Sequence, residues 1–199
     1  SAIAPPLALL VMAAAAPPRV GVGVGVLSPD HPPYCCCILH EPSTGALLLE
    51  ERGAEASVAA GKLTCFGGKR EAQEAPLECI RRELREELGL DTTAYELAEA
   101  AAQTAAEAGT GRMLLPLRRA VDLYVDGKLI AWFFEAPAPA RDAALVFEKG
   151  RAGVWLTAED SQVSTRISPW HAAVLAAWRR GDRRADFVTP ASPDPGARD

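Results

Sequence analysis

The 199-residue chain lacks several features that mark common protein classes. It has three histidines, and no His and Cys residues stand at zinc-ligand spacing, which argues against a zinc site. Its formal net charge is −5, so it lacks the basic surface expected of a general nucleic-acid-binding protein. No shift in composition divides the chain, and its length favours one well-cored domain.

The five cysteines do not form a disulfide framework or a C-x-x-C site. Three are consecutive, from Cys35 to Cys37. Because neighbouring strand residues point to opposite faces, such a run suits small apolar strand positions in a reducing compartment, rather than a redox or metal role. We therefore expect a cytoplasmic protein.

The apolar segment over residues 2–16 lacks the basic start of a signal peptide and contains Pro5 and Pro6. It is too short to span a bilayer, so no membrane association is expected. Met12 followed by Ala13 is typical of a natural start, which gives the hypothesis that residues 1–11 are not native. We expect a flexible lead-in over residues 1–26. A disordered tail is expected over residues 185–199, most clearly from Pro190 on, where proline, glycine and charged residues dominate.

The most informative segment reads GKREAQEAPLECIRRELREELGL, from Gly68 to Leu90. Pro76 and Gly89 bracket apolar residues at helical spacing, which predicts a helix. The apolar positions are Leu77, Ile80, Leu84 and Leu88. Three acidic residues fall on an adjacent arc of that helix, where i, i+3 and i+4 spacing brings their carboxylates together: Glu83, Glu86 and Glu87.

Clustered carboxylates cost a few tenths of a kcal/mol per pair, roughly, unless positive charge lies among them. Oxygen ligands suit a hard divalent cation, so we expect Mg²⁺, with Mn²⁺ as a substitute. Such a cation can bridge phosphate oxygens and activate water, which predicts hydrolysis of a phosphoanhydride. The loop Phe66 to Lys69 just before the helix fits, because its glycines let the backbone approach an anion.

This segment resembles the Nudix box, G-x5-E-x7-R-E-U-x-E-E-x-G-U, without a mismatch. The fixed positions are Gly68, Glu74, Arg82, Glu83, Glu86, Glu87 and Gly89, with aliphatic Leu84 and Leu90. The resemblance implies an α/β fold: the Nudix α/β/α sandwich, with a mixed sheet, the box helix and a C-terminal helix, over residues 27–184. It also implies a metal-dependent hydrolase.

The resemblance implies a role for each box residue. Glu83, Glu86 and Glu87 match the metal-binding and catalytic glutamates. The structural residues are Glu74, Arg82 and Gly89, with an ion pair between Arg82 and Glu74 that holds the loop to the helix.

The same resemblance places the backbone of Gly67 and Gly68 against the metal and phosphates. Lys69, Arg70 and, less directly, Arg52 are candidates for phosphate contact, with simple solvent exposure as the alternative. Gln73 stands where many relatives have glycine, which predicts backbone strain if φ is positive there. Glu71 is an alternative metal ligand or general base.

The rest of the sequence predicts alternating strands and helices. Predicted strands cover residues 34–40, 46–51, 62–66, 113–125, 128–135 and 154–156. Asp126-Gly127 predicts a hairpin, and Ser168-Pro169 starts a helix that ends before Gly181. From the box to Gly109, the sequence does not distinguish helix from loop. Packing is the favoured role for Trp132, Phe133, Phe134, Trp170 and His171, with base stacking or a pocket as the alternative.

The expected substrate is a small nucleotide rather than a nucleic-acid polymer. Nucleoside triphosphates come first, followed by ADP-ribose, nucleotide sugars and dinucleoside polyphosphates. Two other classes stay open: an isopentenyl diphosphate isomerase-like enzyme, for which Cys65 is a conceivable reactive residue, and a non-catalytic nucleotide-sensing module. Nudix relatives are often dimers, so a homodimer is a further hypothesis.

Overall fold

The computed structural model describes residues 31–90, 117–147 and 150–190. In these ranges the strands are β1 Tyr34–His40, β2 Leu47–Glu51, β3 Leu63–Thr64, β4 Phe66–Lys69, β5 Arg118–Val125, β6 Lys128–Pro137, β7 Ala152–Leu156 and β8 Arg184–Phe187. The helices are α1 Pro76–Leu88, α2 Asp160–Val163 and α3 Pro169–Arg180. None of the described helices is long and apolar enough to cross a membrane.

The described strands form one mixed sheet in the order β3-β2-β1-β6-β5-β8, with β4 also paired to β1 and β7 to β2. β1 runs parallel to β6, from Tyr34 opposite Ala131 to His40 opposite Pro137. β8 runs parallel to β5, while the other pairings are antiparallel. The mixed sheet confirms the expected fold class.

Two apolar cores lie on the two faces of this sheet. α1 packs on one face with Cys35 and Cys37, and α3 packs on the other with Cys36. The three consecutive cysteines therefore alternate between the faces as strand geometry requires. All five cysteines are buried and free, in agreement with their interpretation as small apolar residues.

Helix α1 has the bounds that its local signals predict. Pro76 occupies the first turn, and Gly89 ends the helix in the left-handed conformation, with φ of 61°. The carboxylate of Glu78 accepts a hydrogen bond from the Ala75 N–H at 2.9 Å, which satisfies one of the free donors at the helix start. Ile80, Leu84 and Leu88 are fully buried against the sheet.

Two turns also have the backbone conformations that the sequence predicts. Asp126 and Gly127 have φ of 49° and 77°, as the predicted two-residue hairpin between β5 and β6 requires. Gln73 has φ of 64°, so the strain expected from a non-glycine residue there is present. Ser168 precedes α3 as predicted, but its side chain makes no capping hydrogen bond; its N–H donates to the Leu63 carbonyl instead, at 2.9 Å.

The predicted start of the disordered tail is wrong at residues 185–187. These residues belong to β8, because Ala185 packs into the α3-side core and the strand pairs with β5. The remaining terminal expectations, for residues 1–26 and 191–199, lie outside the described residues. So do the hypothesis about residues 1–11 and the stretch from the box to Gly109.

Candidate active site

The segment from Phe66 to Lys69, predicted as a loop, is instead strand β4, because it pairs with β1; the loop of residues 70–75 then leads into the box helix. Gly67 has φ of 135°, and a Cβ there would lie 2.3 Å from the Cys35 carbonyl oxygen on β1. A Cβ on Gly68 would lie 2.5 Å from Oε1 of Glu83. Gly67 therefore needs glycine for its close approach to the β1 backbone, whereas a side chain at Gly68 would displace the carboxylate of Glu83.

Arg82 connects the loop with the box helix. Its Nε donates to Oε1 of Glu74 at 2.8 Å, which confirms the predicted ion pair. Its Nη2 donates to the Lys69 carbonyl at 3.1 Å. Its Nη1 also donates to Glu83 at 2.8 Å and to Glu86 at 2.9 Å, so this guanidinium neutralises two of the proposed metal ligands.

Glu87 is the most buried of the three box glutamates. Its Oε2 accepts a hydrogen bond from the Gly67 N–H at 2.8 Å, and its Oε1 pairs with Nη1 of Arg151. Burial raises the pKa of Glu87 to about 7, and the nearby charge of Glu50 acts in the same direction, against Gly67 and Arg151. Burial likewise raises the pKa of Glu83. The wall of the site thus holds carboxylates that are costly to ionise without a cation nearby.

Glu50 and Arg151 are site residues that the sequence does not reveal. Glu50 is 1% exposed, and its Oε1 lies 2.7 Å from Nη1 of Arg151. Its Oε2 accepts hydrogen bonds from Thr64 Oγ1 at 3.1 Å and from Arg52 Nη1 at 3.2 Å. The Arg52 guanidinium is thus already hydrogen-bonded to a carboxylate. A signal was available in strand alternation, which puts Glu50 on the same face as Leu48, toward α1.

Two cavities meet at these residues. One, of about 510 Å³, is lined by all three box glutamates together with Val146, Phe147 and Arg151. The other, of about 740 Å³, shares Glu83, Glu87 and Arg151 with it. This larger cavity is also lined by the predicted substrate-binding residues Arg52, Gly67, Gly68 and Lys69. The structure therefore places the predicted metal-binding and substrate-binding residues around two cavities that share three lining residues.

The three glutamates line the same cavity, but their carboxylates do not converge on a single metal position. Within the described residues, no group of three or more acidic, His or Cys side chains is arranged to hold a metal ion. The positive charges among the carboxylates are the guanidiniums of Arg82 and Arg151. The donor set nevertheless fits a hard divalent cation, since oxygen-only ligands line one cavity and Glu87 is held in its wall by the Gly67 N–H.

Cys65 lines the larger cavity but is poorly suited to act as a nucleophile. It is 2% exposed, and burial raises the pKa of its thiol to about 12, against the nearby charge of Arg179. The thiol therefore stays protonated at neutral pH.

Some of the aromatic residues pack inside the protein, and others line the larger cavity. Phe134 is buried as expected, and Trp132 lies under the Arg119 guanidinium, 3.7 Å from the ring centre. The sequence favours packing for Trp170 and His171, but both line the larger cavity, as does the otherwise buried Phe133. This end of the cavity is therefore aromatic.

A family model described as the NUDIX domain matches residues 30–178. The chain belongs to the Nudix family. It is accordingly a Nudix hydrolase, and Nudix hydrolases generally use divalent metal ions and act on small-molecule nucleotides.

Solved Nudix structures share its fold. The MutT protein from Methanosarcina mazei Go1 is 18% identical, with coverage of 77% of this chain and 97% of that chain and a TM-score of 0.53. A Nudix hydrolase from Nitrosomonas europaea is 15% identical, with coverage of 78% and 93% and a TM-score of 0.51. The comparison with curated proteins gives no match. At these identities the similarity establishes the fold alone.

Proposed function

We propose that this Nudix hydrolase cleaves a phosphoanhydride bond in a nucleoside diphosphate linked to another group. Nucleoside triphosphates are the first proposed substrates, with a nucleoside monophosphate and pyrophosphate as products. The observation that carries the proposal is the complete box: its three glutamates line one cavity, and Glu83 and Glu87 also line the larger cavity together with the glycines of β4. ADP-ribose, nucleotide sugars and dinucleoside polyphosphates are the alternative substrates.

Glu83, Glu86 and Glu87 would hold Mg²⁺, or Mn²⁺ as a substitute. When bound, the cation supplies charge neutralisation for the diphosphate and activation of the attacking water. The Gly67 N–H orients the Glu87 carboxylate, and the absence of a side chain at Gly68 leaves room for that of Glu83. These contacts fix two of the three proposed ligands before the substrate arrives.

The charged residues around the glutamates complete the proposed site. Arg82 joins Glu74 to the Lys69 carbonyl, so the end of β4 is held against α1. The Lys69 side chain is exposed at the edge of the larger cavity, where its ammonium can meet a phosphate. Arg151 is held in the same cavity by Glu50, independently of Glu87, and offers a second cation to the phosphates.

The proposal is tested with a panel of nucleotides incubated with Mg²⁺, with all products identified by mass. The panel contains the four nucleoside triphosphates, ADP-ribose, UDP-glucose and diadenosine tetraphosphate. A nucleoside monophosphate together with pyrophosphate identifies both the substrate class and the bond that is broken. The absence of product from every compound, with Mg²⁺ and with Mn²⁺, rejects the proposal.

The structure supports the other two classes less well. An isomerase that depends on Cys65 is disfavoured by the burial and high pKa of that thiol. A non-catalytic sensor has no need of a full set of box glutamates, and this chain keeps all three. The five buried free cysteines support the cytoplasm as the place of the reaction. The homodimer stays a hypothesis that light scattering would test.

A further inference from the structure

Glu50 lies behind the box and has a fixed place in the sheet. Its strand β2 pairs with β3, where Thr64 lies opposite Glu50, and with β7, where Gly153 does. The side chain is 1% exposed, and its Oε2 accepts hydrogen bonds from Thr64 Oγ1 and Arg52 Nη1. The carboxylate therefore has little freedom to move when charges at the box change.

The other oxygen of Glu50 lacks a hydrogen bond. Oε1 is fully enclosed, and within the described residues no donor reaches it with acceptable geometry. Nη1 of Arg151 lies only 2.7 Å away, but this nitrogen directs its hydrogen bond to Oε1 of Glu87. Because a buried acceptor without a hydrogen bond is costly, Glu50 favours any state in which the Arg151 donor turns toward it.

A cation bound at the box would create that state. Oε2 of Glu87 already accepts a hydrogen bond from the Gly67 N–H, so Oε1 is the oxygen left to face a metal ion. Oε1 is also the atom that Arg151 contacts. A guanidinium and a dication repel each other strongly when they share one oxygen. Arg151 would therefore have to release Glu87 when a metal binds there.

The fold keeps the guanidinium of Arg151 within reach of Glu50 after such a release. Arg151 directly precedes β7, whose first residue, Ala152, is paired with Glu51 beside Glu50. The separation of 2.7 Å between Nη1 and Oε1 of Glu50 already lies within hydrogen-bond range. A change in the angle of the N–H is thus enough to complete the missing hydrogen bond.

We propose that Arg151 is a displaceable counter-ion of Glu87, and that Glu50 is the positioning residue that receives it when a divalent cation binds. Glu87 then exchanges its ion pair with Arg151 for the metal, and the Arg151 N–H turns to Oε1 of Glu50. The inference rests on the proposed function for the role of Glu87 as a metal ligand. It adds two residues outside the Nudix box that set how tightly the metal is held.

Titration of the nucleotide-free full chain with Mn²⁺ tests the inference without turnover, with free Mn²⁺ measured by electron paramagnetic resonance. Arg151→Met removes the competing cation and should tighten Mn²⁺ binding about tenfold. Glu50→Gln removes the receiving carboxylate, so Arg151 stays on Glu87 and Mn²⁺ binding should weaken about tenfold.

Arg52→Met is the matched control. Arg52 contacts the same carboxylate of Glu50, but in the described part of the chain it has no ion pair with a box glutamate. Its loss should change the affinity for Mn²⁺ less than about threefold, because a charge farther from the metal is screened by salt. An effect as large as that of Arg151→Met would show that any nearby positive charge acts alike, which overturns the inference.

The double variant separates displacement from a direct effect of charge. If Glu50 acted on the metal only through its own charge, Glu50→Gln would weaken binding equally with and without Arg151. Because Glu50 acts through Arg151, Glu50→Gln should change the affinity less than about threefold in the Arg151→Met background. Equal weakening in the two backgrounds overturns the inference.

Crystal structures of the wild type with and without Mn²⁺ cover the case in which a variant does not fold. With the metal bound, Nη1 of Arg151 should hydrogen-bond to Oε1 of Glu50 and lie more than about 4 Å from the Glu87 carboxylate, beyond ion-pair distance. A guanidinium that keeps its contact with Glu87 in the metal-bound protein overturns the inference.

The outcomes also separate this inference from the proposed hydrolysis. If the variants behave as expected but the nucleotide panel gives no product, only the proposed hydrolysis fails. If the panel gives product but the two substitutions act additively on Mn²⁺ binding, only the displacement of Arg151 fails. A wild-type protein that binds no Mn²⁺ overturns both the displacement and the proposed metal site.

Discussion

The guanidinium of Arg151 lies 2.7 Å from the carboxylate of Glu50, which is 1% exposed. This pair stands directly behind the box, because the same guanidinium also contacts Glu87. Arg151 therefore neutralises a carboxylate that is almost fully buried and, at the same time, one of the three proposed metal ligands.

A double-mutant cycle should show that this pair is coupled. Arg151→Met leaves the charge of Glu50 buried with less compensation and should lower the free energy of unfolding by about 3 kcal/mol. The combined Glu50→Gln and Arg151→Met variant should lose at least about 1 kcal/mol less than the sum of the single losses. Urea unfolding with a chelator present measures both quantities.

The exposed pair of Arg141 and Glu41, 3.4 Å apart, is the matched control for this cycle. Its coupling should stay below about 1 kcal/mol, as is usual for pairs in contact with water. Additive losses at Glu50 and Arg151 would contradict the prediction.

The two glycines of β4 should respond differently to alanine. Gly67→Ala drives a Cβ against the β1 backbone and should lower the free energy of unfolding by more than about 2 kcal/mol. Gly68→Ala meets only the end of the Glu83 side chain, which can move aside, so the loss should stay within about 1 kcal/mol. The displaced carboxylate should nevertheless weaken Mg²⁺ binding in Gly68→Ala. Thermal unfolding and metal titration measure these effects, and equal stability losses would count against the structural reason given.

The protonation of His171 should make part of the stability pH-dependent. The folded pKa is lowered to about 4, whereas the unfolded side chain titrates near its usual 6.5. Between these values the unfolded state binds more protons, so the contribution is complete above pH 6.5 and is lost as the pH falls toward 4. The total is at most about 3 kcal/mol.

The measurement is urea unfolding of wild type and His171→Asn at pH 7.5, 6 and 5, with a chelator present. Because other titrating groups contribute to both proteins, the difference between them isolates His171. Wild type should lose more stability than the variant as the pH falls. Parallel curves would show that the ring is not held neutral in the folded protein.

Glu86→Gln should abolish turnover and leave the fold intact. The side chain of Glu86 is 59% exposed and its contact with Arg82 is a surface pair, so the free energy of unfolding should change by less than about 0.5 kcal/mol. Product formation in the nucleotide panel should fall at least about a hundredfold if the carboxylate holds the metal. Glu159→Gln, an exposed change away from both cavities, is the control. Full activity in Glu86→Gln would reject the assignment of the box glutamates.

Local signals explain why so much of the box could be predicted. Pro76 and Gly89 set the ends of α1 through their own backbone preferences, and Arg82 reaches Glu74 as the family pattern implies. The hairpin at Asp126 and Gly127 is likewise determined by the backbone conformations of these two residues. In each case the deciding residues lie close together in the sequence.

The rest of the site depends on which strands become neighbours. β7 pairs with β2 and places Ala152 opposite Glu51, so Arg151 arrives beside Glu50 only through the assembled sheet. β8 is held by its pairing with β5, although its sequence resembles the polar tail that follows. No local pattern specifies these pairings, which is why Arg151 and β8 escaped prediction. For Glu50, strand alternation indicates the face of the sheet but not the partner.

The parallel pairing of β1 with β6 also constrains how the chain acquires its structure. Tyr34 finds its partner Ala131 only after the whole box and the segment behind it have left the ribosome. Contacts between distant parts of a chain form slowly, because closing the intervening loop is costly in entropy. The edge of β1 that pairs with β6 therefore stays unpaired during synthesis. Nascent chains that stop before β6 should depend on chaperones to avoid aggregation.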